Sequence, residues 1–299
     1  MRELHCIYTE TAMPEITAPG ANPLKKYFRQ PKLYVSLPSK ALYYPEGTID
    51  YPENGELPVL AMTAKDELAM RTPDALINGQ STVDIIQSCI PNIKNAWSMP
   101  SIDVDTILIA IRIATFGELM EINTVAPNTD IERGFQLDLR LLLQQFAQVQ
   151  FESDIFINEM KISIRPLTYA EFTETALKTF EEQRMFNLLN DDKLEQQEKL
   201  KLFNNSFNKI RDMTIGMIVK SISSIEIDGE VVNNQIHIAD FISNADKSFF
   251  DAVIKHIEKQ KEKFAVAPIP VAADEEQVAA GAPAEYLVPV TFDQSNFFA

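Results

Sequence analysis

The stretch from residue 61 to residue 120 constrains the fold most, because helix-starting and helix-ending residues alternate in it at short intervals. Hydroxyl side chains that can accept hydrogen bonds from the first amides of a helix are each followed by an acid in the expected first turn. The predicted caps and their acids are Thr63 with Asp66, Thr72 with Asp74 behind Pro73, and Ser81 with Asp84. The residues between these helix starts contain no recognisable catalytic motif. The segment is therefore predicted to have a structural role.

A long aliphatic run follows Pro91 and Pro100, which end the preceding segments. The spacing predicts the most apolar helix of the chain, beginning at Ser101 and ending at Gly117, a residue that tolerates positive φ. The apolar face consists of Val104, Ile107, Leu108, Ile111 and Thr115, widened by Ile109 and Ile113. We expect this helix to be buried.

The rest of the chain alternates between strand-like and helix-like patterns. Strand-like segments are found at residues 32–38, 42–51, 56–62 and 135–139, and the turns Asn158–Glu159 and Asp228–Gly229 predict two hairpins, while residues 123–134 are typical of a loop. Thr168 and Glu171 form a capping box before one amphipathic helix, and residues 194–221 predict a second. Two adjacent helices of this kind predict a long helical hairpin.

These patterns predict an α+β fold with small antiparallel strand units, several helices that include the helical hairpin, and extended N- and C-terminal arms. The predicted parts are an extended arm at 1–30, a strand and helical core subdomain at 31–125, a hairpin and long-helix subdomain at 126–265, and an extended tail at 266–299. The arms are assigned from proline, glycine, alanine and acidic residues that bury little area.

The formal net charge of -16 excludes a general DNA- or RNA-binding role, since neutralising phosphates requires clustered Lys and Arg. A protein partner is expected instead. Cys6 and Cys89 are the only cysteines, so we expect no disulfide framework, and no leader or membrane-spanning segment is expected either. The longest apolar window, residues 104–116, is too short to span a bilayer.

A search for chemical motifs gives no catalytic, cofactor-binding or metal site. The three histidines are scattered, and the sequence has no Walker loop, dinucleotide fingerprint or nucleophile elbow. Two acid pairs have residue types that can bind a cation or act as acid and base, but their position at helix starts explains both and is the favoured interpretation: Asp103 with Asp105, and Asp191 with Asp192. We expect no cofactor and no enzymatic activity.

Four aromatic residues are candidates for binding a partner. Trp97, the only tryptophan, lies between two prolines, where it can anchor an interface or fill the core beneath a loop. Phe292, Phe297 and Phe298 can anchor in a partner groove or pack back onto their own domain.

Several segments together resemble the T4-like bacteriophage baseplate protein family, which includes a baseplate hub subunit and a hub-assembly catalyst. The segments are residues 61–67, 72–97, 101–122, 164–172 and 291–298. The resemblance is densest from residue 60 to residue 122 and does not cover the first thirty residues or residues 266–284. Some relatives carry a zinc-ribbon-like cysteine pair where this chain has Ala126–Thr129, and the missing sulfur ligands predict no zinc here.

The resemblance implies a non-enzymatic protein of the virion tail baseplate, assembled in the host cytoplasm. It would be a structural subunit or an assembly chaperone of the hub in a contractile tail, with other hub or tape-measure proteins as partners in a multi-subunit assembly. The alternative from another class is a tail-tip enzyme, a peptidoglycan hydrolase or a maturation protease. Such a hydrolase requires paired carboxylates in a cleft, or a nucleophile with its base.

Overall fold

The computed structural model describes residues 23–70, 79–188 and 196–290. The chain divides into two units, Met1–Gln30 and Pro31–Ala299, which are described separately. In the first unit, the described residues include a short 3₁₀ helix, Pro23–Tyr27. All remaining elements belong to the second unit.

The second unit combines helices with short strands. In chain order its elements are β1 (Pro31–Val35), β2 (Leu57–Leu60), α1 (Ala64–Met70), α2 (Gln80–Cys89), a 3₁₀ turn (Ala96–Ser98), α3 (Ser101–Phe116), β3 (Leu119–Val125), β4 (Glu132–Asp138), α4 (Leu139–Gln148), β5 (Asp154–Ile157), β6 (Met160–Ile164), α5 (Tyr169–Leu188), α6 (Gln196–Ser221), β7 (Ile222–Ile227), β8 (Glu230–Val232), α7 (Gln235–Asn244), α8 (Lys247–Lys263), β9 (Ile269–Ala272), α9 (Glu275–Ala279) and β10 (Glu285–Val288).

All of the described strand pairs are antiparallel. The sheets are small: β1 pairs with β2, β3 with β4, β9 with β10, and the order β5-β6-β7-β8 gives one sheet of four strands. The helices pack on and between these sheets. The α+β class predicted from the sequence is therefore confirmed, and so is the long helical hairpin, formed by α5 and α6.

Helix α3 is the centre of the larger hydrophobic cluster. Its apolar side chains are buried on nearly all sides, and Ile107, Ile109 and Ile111 have no exposed surface. The helix ends at Gly117, whose φ of 96° confirms the predicted need for a residue without a Cβ. Its first residue, Ser101, donates its backbone N–H to the carbonyl of Leu167 at 2.8 Å, so a neighbouring segment satisfies an amide at the start of the helix.

The helix starts predicted upstream of α3 have mixed outcomes. The Thr63 cap is confirmed, because its hydroxyl accepts from the Asp66 N–H at 3.3 Å and the Asp66 carboxylate accepts from the Thr63 N–H at 2.8 Å. The Ser81 cap is wrong, because α2 begins one residue earlier, after Gly79 at φ 75°. The Ser81 hydroxyl lies inside the helix and donates to the Ala69 carbonyl at 3.0 Å. The predicted cap at residues 72–74 lies outside the described residues.

The predicted hairpins are confirmed where strands of alternating apolar and polar residues are joined by a turn residue. The hairpin β5–β6 turns at Asn158 with φ 53°, and β7–β8 turns at Asp228–Gly229 with φ 52° and 80°. The capping box is also confirmed, since Thr168 and Glu171 exchange two hydrogen bonds of 2.9 and 3.2 Å.

Two strand predictions differ from the structure. The segment at residues 42–51 forms successive turns, in which the Leu42, Tyr44 and Thr48 amides bond to nearby carbonyls, and Ile49 makes an isolated bridge. Conversely, the predicted loop at 123–134 contributes to both β3 and β4 and leaves only residues 126–131 as the turn. The polar residues of β3 obscured its period of two, because one of its faces lies in solvent.

Two hydrophobic clusters share the chain between residues 35 and 257. The first extends from Val35 to Phe146 and also includes Tyr169. The second contains buried residues from Ile162 to Val253, with Phe151 packed against it. Along the chain, the boundary between the two clusters therefore lies after α4, and not at residue 125. The predicted division into subdomains stays a prediction, because the contacts group residues 31–299 as one unit.

The segment 266–290 is ordered where an extended tail was expected. It forms β9, α9 and β10, and α9 begins with a capping box between Asp274 and Gln277. Tyr286 packs with Ala126 in a third, small cluster that holds the turn between β3 and β4. Composition suggested a tail because few residues of the segment are buried. Residues 291–299 lie outside the described part of the chain.

Replacing Tyr286 by Ala should lower the free energy of unfolding by about 3 kcal/mol, because a buried aromatic ring is removed. The neighbouring Leu287 is 66% exposed, so Leu287→Ala should change it by less than about 0.5 kcal/mol. Urea unfolding of both variants measures the difference. Equal, small effects would mean that the segment does not pack as described.

Candidate functional site

An apolar cavity of about 300 Å³ lies where the two large clusters meet. The start of α3, the connection between β6 and α5, and the end of α8 form its walls. We call it the Asp105 cavity, and its lining consists of Ser101, Ile102, Val104, Asp105, Phe151, Ile164, Arg165, Pro166, Leu167, Tyr169, Phe172, Ser221, Ile257, Gln260, Lys261, Phe264 and Ala265. Most of the lining is hydrophobic, as in small-molecule and side-chain binding pockets.

Backbone hydrogen bonds fix one wall of the Asp105 cavity. The chain before α3 runs antiparallel to the chain before α5, with Pro100 opposite Thr168. Ser101 donates to the Leu167 carbonyl at 2.8 Å, and the Tyr169 N–H donates to the Met99 carbonyl at 2.7 Å. The two helix starts are thereby tied together, which positions the first turn of α3 against the cavity.

Glu152 fixes the opposite wall by binding the last turns of α8. Its backbone N–H donates to the buried Gln260 side chain at 2.9 Å, and its carboxylate accepts from Lys263 at 2.5 Å and Lys259 at 3.1 Å. The hydrogen bond from Lys263, followed by that from Lys259, lowers the pKa of Glu152 to about 2. Helix α8 is therefore held against the chain before β5, and Phe264 is fixed near Phe151.

Asp105 supplies the only carboxylate in the described lining of the cavity. The side chain is half-buried, and burial raises its pKa to about 6. Within the described ranges it makes no hydrogen bond and no ion pair. The basic side chains nearby do not neutralise it, because Arg165 pairs with Glu171 through bonds of 2.9 and 2.8 Å and Lys261 extends into solvent at the rim. An ionisable group in apolar surroundings without a partner is a functional-site candidate.

Asp103 does not share this site, although the sequence paired it with Asp105. The Asp103 carboxylate is fully buried on another side of α3 and accepts from the Ser39 N–H at 2.9 Å and the Ser39 hydroxyl at 2.5 Å. Burial raises its pKa to about 6, while the bonds from Ser39 lower it. Burial, followed by the charge of Asp103, raises the pKa of the nearby Tyr44 phenol. Asp191 and Asp192 lie outside the described residues.

Trp97 lies on the surface of the first cluster. Its half-buried ring stacks on Tyr169 with 5.6 Å between ring centroids. The ring therefore contributes to packing, and its role as a partner anchor stays a prediction. The other three predicted anchors, Phe292, Phe297 and Phe298, lie outside the described part of the chain.

The residues considered for metal binding are not brought together. Cys89 is buried in the first cluster, His237 is exposed, and His256 lies 2.8 Å from the Glu152 carbonyl oxygen. Among residues 23–70, 79–188 and 196–290, no three His, Cys, Asp or Glu side chains are grouped to hold a metal ion. The turn containing Ala126 is held by the hydroxyl of Thr129, which donates to the Ala126 carbonyl at 2.9 Å, and by packing on Tyr286.

A second candidate surface lies on the helical hairpin. We call it the α6 stripe, and it consists of Phe203, Phe207 and Ile210, which are 45%, 58% and 37% exposed. Spacings of four and three residues place all three on one face of α6. Its residues are among the regularly spaced positions that predict the amphipathic helix at residues 194–221.

Two ion pairs join α5 and α6, while the side chains of the α6 stripe remain exposed. Lys209 pairs with Glu182 at 2.9 Å, and Lys220 pairs with Glu174 at 3.1 Å. The period of the stripe could be predicted from the sequence, but its exposure could not, because exposure depends on which face of α6 meets α5.

Replacing Asp105 by Ala should raise the free energy of unfolding at pH 7.5 by about 2 kcal/mol, because the folded state no longer holds a desolvated carboxylate. The folded pKa of about 6 lies above the ordinary value of 3.8, so the folded protein binds this proton more tightly. The wild type is therefore relatively more stable at low pH. The advantage of the variant should shrink as the pH falls from 7 to 4, which urea unfolding at several pH values measures.

Asp103→Ala is the matched control for Asp105→Ala. It leaves two donors of Ser39 without an acceptor in the core and should lower the free energy of unfolding by about 2 kcal/mol at pH 7.5. Equal effects of the two variants would contradict the different hydrogen bonding described for the two acids.

Comparison with known proteins gives one family. The family model described as T4 bacteriophage base plate protein matches residues 50–275, which is more than half of the chain. Comparisons with curated proteins and with solved structures found no significant match. In the described residues, no helix is both long and apolar enough to cross a membrane. The matched range includes α3, the Asp105 cavity and the helical hairpin, and the chain belongs to the T4 bacteriophage base plate protein family.

Proposed function

We propose that this baseplate protein is a non-enzymatic structural or assembly component of the hub of a contractile phage tail. It acts through protein–protein surfaces, with other hub proteins or tape-measure proteins as partners, and it is assembled in the host cytoplasm. Membership of the family supports a place in the multi-subunit baseplate of the virion tail. The assignment to the hub goes further and rests on the resemblance of the sequence to a family that includes hub proteins.

The α6 stripe is the observation that carries the proposal. Three large apolar side chains in one row remain exposed, and burying a phenylalanine side chain contributes roughly 2 kcal/mol. Residues 196–221 also contain five Lys or Arg against two Asp or Glu, in a chain of net charge -16. A basic helix with an exposed apolar row suits an amphipathic partner segment with acidic flanks.

The alternative function is a tail-tip hydrolase, and Asp105 is the observation that favours it. A carboxyl group with a pKa of about 6 in an apolar cavity has the environment of a general acid. Glycoside hydrolysis in most families needs a second carboxylate across the cleft. The described lining contains a single carboxylate, that of Asp105, and Asp103 lies outside the cavity. We therefore favour a binding role over catalysis.

Mass spectrometry of purified virions, with co-purification from infected cells, tests the proposal. Abundant peptides in virions indicate a permanent hub subunit, and their absence together with association with hub precursors indicates a transient assembly factor. Either result supports the proposal. Absence from both, or turnover of peptidoglycan by the purified protein that Asp105→Asn abolishes, would contradict it.

A stripe variant makes this test specific. The double change Phe207→Ser and Ile210→Ser should reduce recovery of the protein in virions or precursor complexes by at least about tenfold, the equivalent of about 1.4 kcal/mol. The melting temperature should stay nearly unchanged because both side chains are exposed. Leu42→Ser, at a residue that is 75% exposed and far from α6 in the chain, is the control and should be recovered normally.

A further inference from the structure

The Asp105 carboxylate lies against the apolar lining of the cavity, and burial raises its pKa to about 6. Its apolar surroundings disfavour the charged form, which nevertheless predominates at neutral pH. In the described residues no donor approaches it within hydrogen-bonding distance. Asp103, two positions earlier, shows the contrast, since Ser39 satisfies that carboxylate twice. A group that costs stability without a local partner indicates a partner from outside the chain.

The shape of the Asp105 cavity limits what can enter. Its walls are aliphatic and aromatic, and its volume of about 300 Å³ is at the lower end of the range for ligand pockets. The exposed residues Lys261, Phe172 and Ala265 mark the open side. The cavity therefore suits a slender apolar group that enters from the surface and carries a charge at its tip.

We propose that the Asp105 cavity receives a lysine or arginine side chain from a neighbouring baseplate protein. The aliphatic stem packs against Val104, Ile164 and Ile257, and the cationic head binds Asp105. Long basic side chains bury their methylene groups in this way while the charged head finds a partner. This inference deepens the proposed function and rests on it, since it names the chemistry by which one partner is recognised.

Charge complementarity supports a cation over the other occupants. A wholly apolar side chain would complete the desolvation of Asp105 without satisfying it, which is unfavourable. An ammonium or guanidinium group would form a charge-assisted hydrogen bond instead. The acidity of the whole chain attracts basic segments as well.

Two basic residues of the lining define the rival interpretation. Lys261 and Arg165 could favour an anion at the rim, with Asp105 irrelevant to binding. Arg165 is already paired with Glu171, and Lys261 makes no ion pair with Asp105. An anionic occupant would depend on Lys261, whereas a cationic occupant would depend on Asp105, so the two can be separated by substitution.

The test uses the full-length protein and four small probes: n-butylammonium, propylguanidinium, 1-pentanol and pentanoate. Methyl NMR of Ile102, Ile164 and Ile257 reports entry into the cavity. We expect saturable shifts with the two cations, and binding at least about tenfold weaker in Asp105→Asn, as the loss of one charge-assisted hydrogen bond predicts. Lys261→Gln should leave cation binding unchanged or tighten it. The Asn variant is expected to fold, since it removes a desolvated charge.

Three outcomes would overturn the inference: no saturable shifts with either cation, equal cation affinity in the wild type and Asp105→Asn, or tighter binding of pentanol or pentanoate than of the cations. The probes act on the isolated protein, so these results do not depend on where the protein resides in the phage. Cation binding by a protein that is absent from virions and precursors would refute the proposed function alone.

Discussion

The burial of α3 is the constraint on which the rest of the structure depends. An apolar helix with almost no exposed surface must be surrounded, and β1, β2, α2, α4 and α5 contribute the surrounding side chains. Because the helix is apolar on most sides, hydrophobic contacts alone do not fix its orientation. Hydrogen bonds at its ends are needed as well. The bonds from Ser39 to Asp103 and from Ser101 to Leu167 provide these at the start of the helix. The first of them joins residues 64 positions apart in the chain.

The Asp105 cavity follows from how the second cluster joins the first. Residues 149–168 pass from one cluster to the other. The hydrogen bonds of Glu152 hold the beginning of this segment against α8, and the backbone bonds of Ser101 and Tyr169 hold its end beside the start of α3. The helix starts of α3 and α5 lie side by side for the same reason. A gap remains between two well-packed bodies, and one acid of α3 faces it. Binding sites are commonly found at such junctions.

Predictions from the sequence were confirmed where a regular apolar pattern was bounded by a residue typical of a turn or a helix cap. Asp228–Gly229 and the capping box at Thr168 are local, so no distant contact could override them. They failed at Ser81, where Gly79 started the helix one residue early, and at residues 266–290, where a segment with few buried side chains resembled a tail. The failure at residues 266–290 depends on neighbours that are distant in the sequence. The sequence cannot reveal these before the fold is known.

The acid pair on α3 shows which part of the candidate site could be predicted from the sequence. Residues two positions apart on a helix point about 200° apart, so Asp103 and Asp105 could not share a ligand once the helix was predicted. Which of them would find a partner depended on Ser39, far away in the chain, and was not predictable.

The placement of β9, α9 and β10 against the turn of β3 and β4 has a consequence for synthesis. The turn at Ala126 leaves the ribosome more than 150 residues before Tyr286, which covers it. Until residues 266–290 have emerged, that edge of the nascent protein lacks its cover, although α3 and its neighbours can already collapse. Completion of this edge therefore follows the collapse of α3, in the order in which the chain emerges.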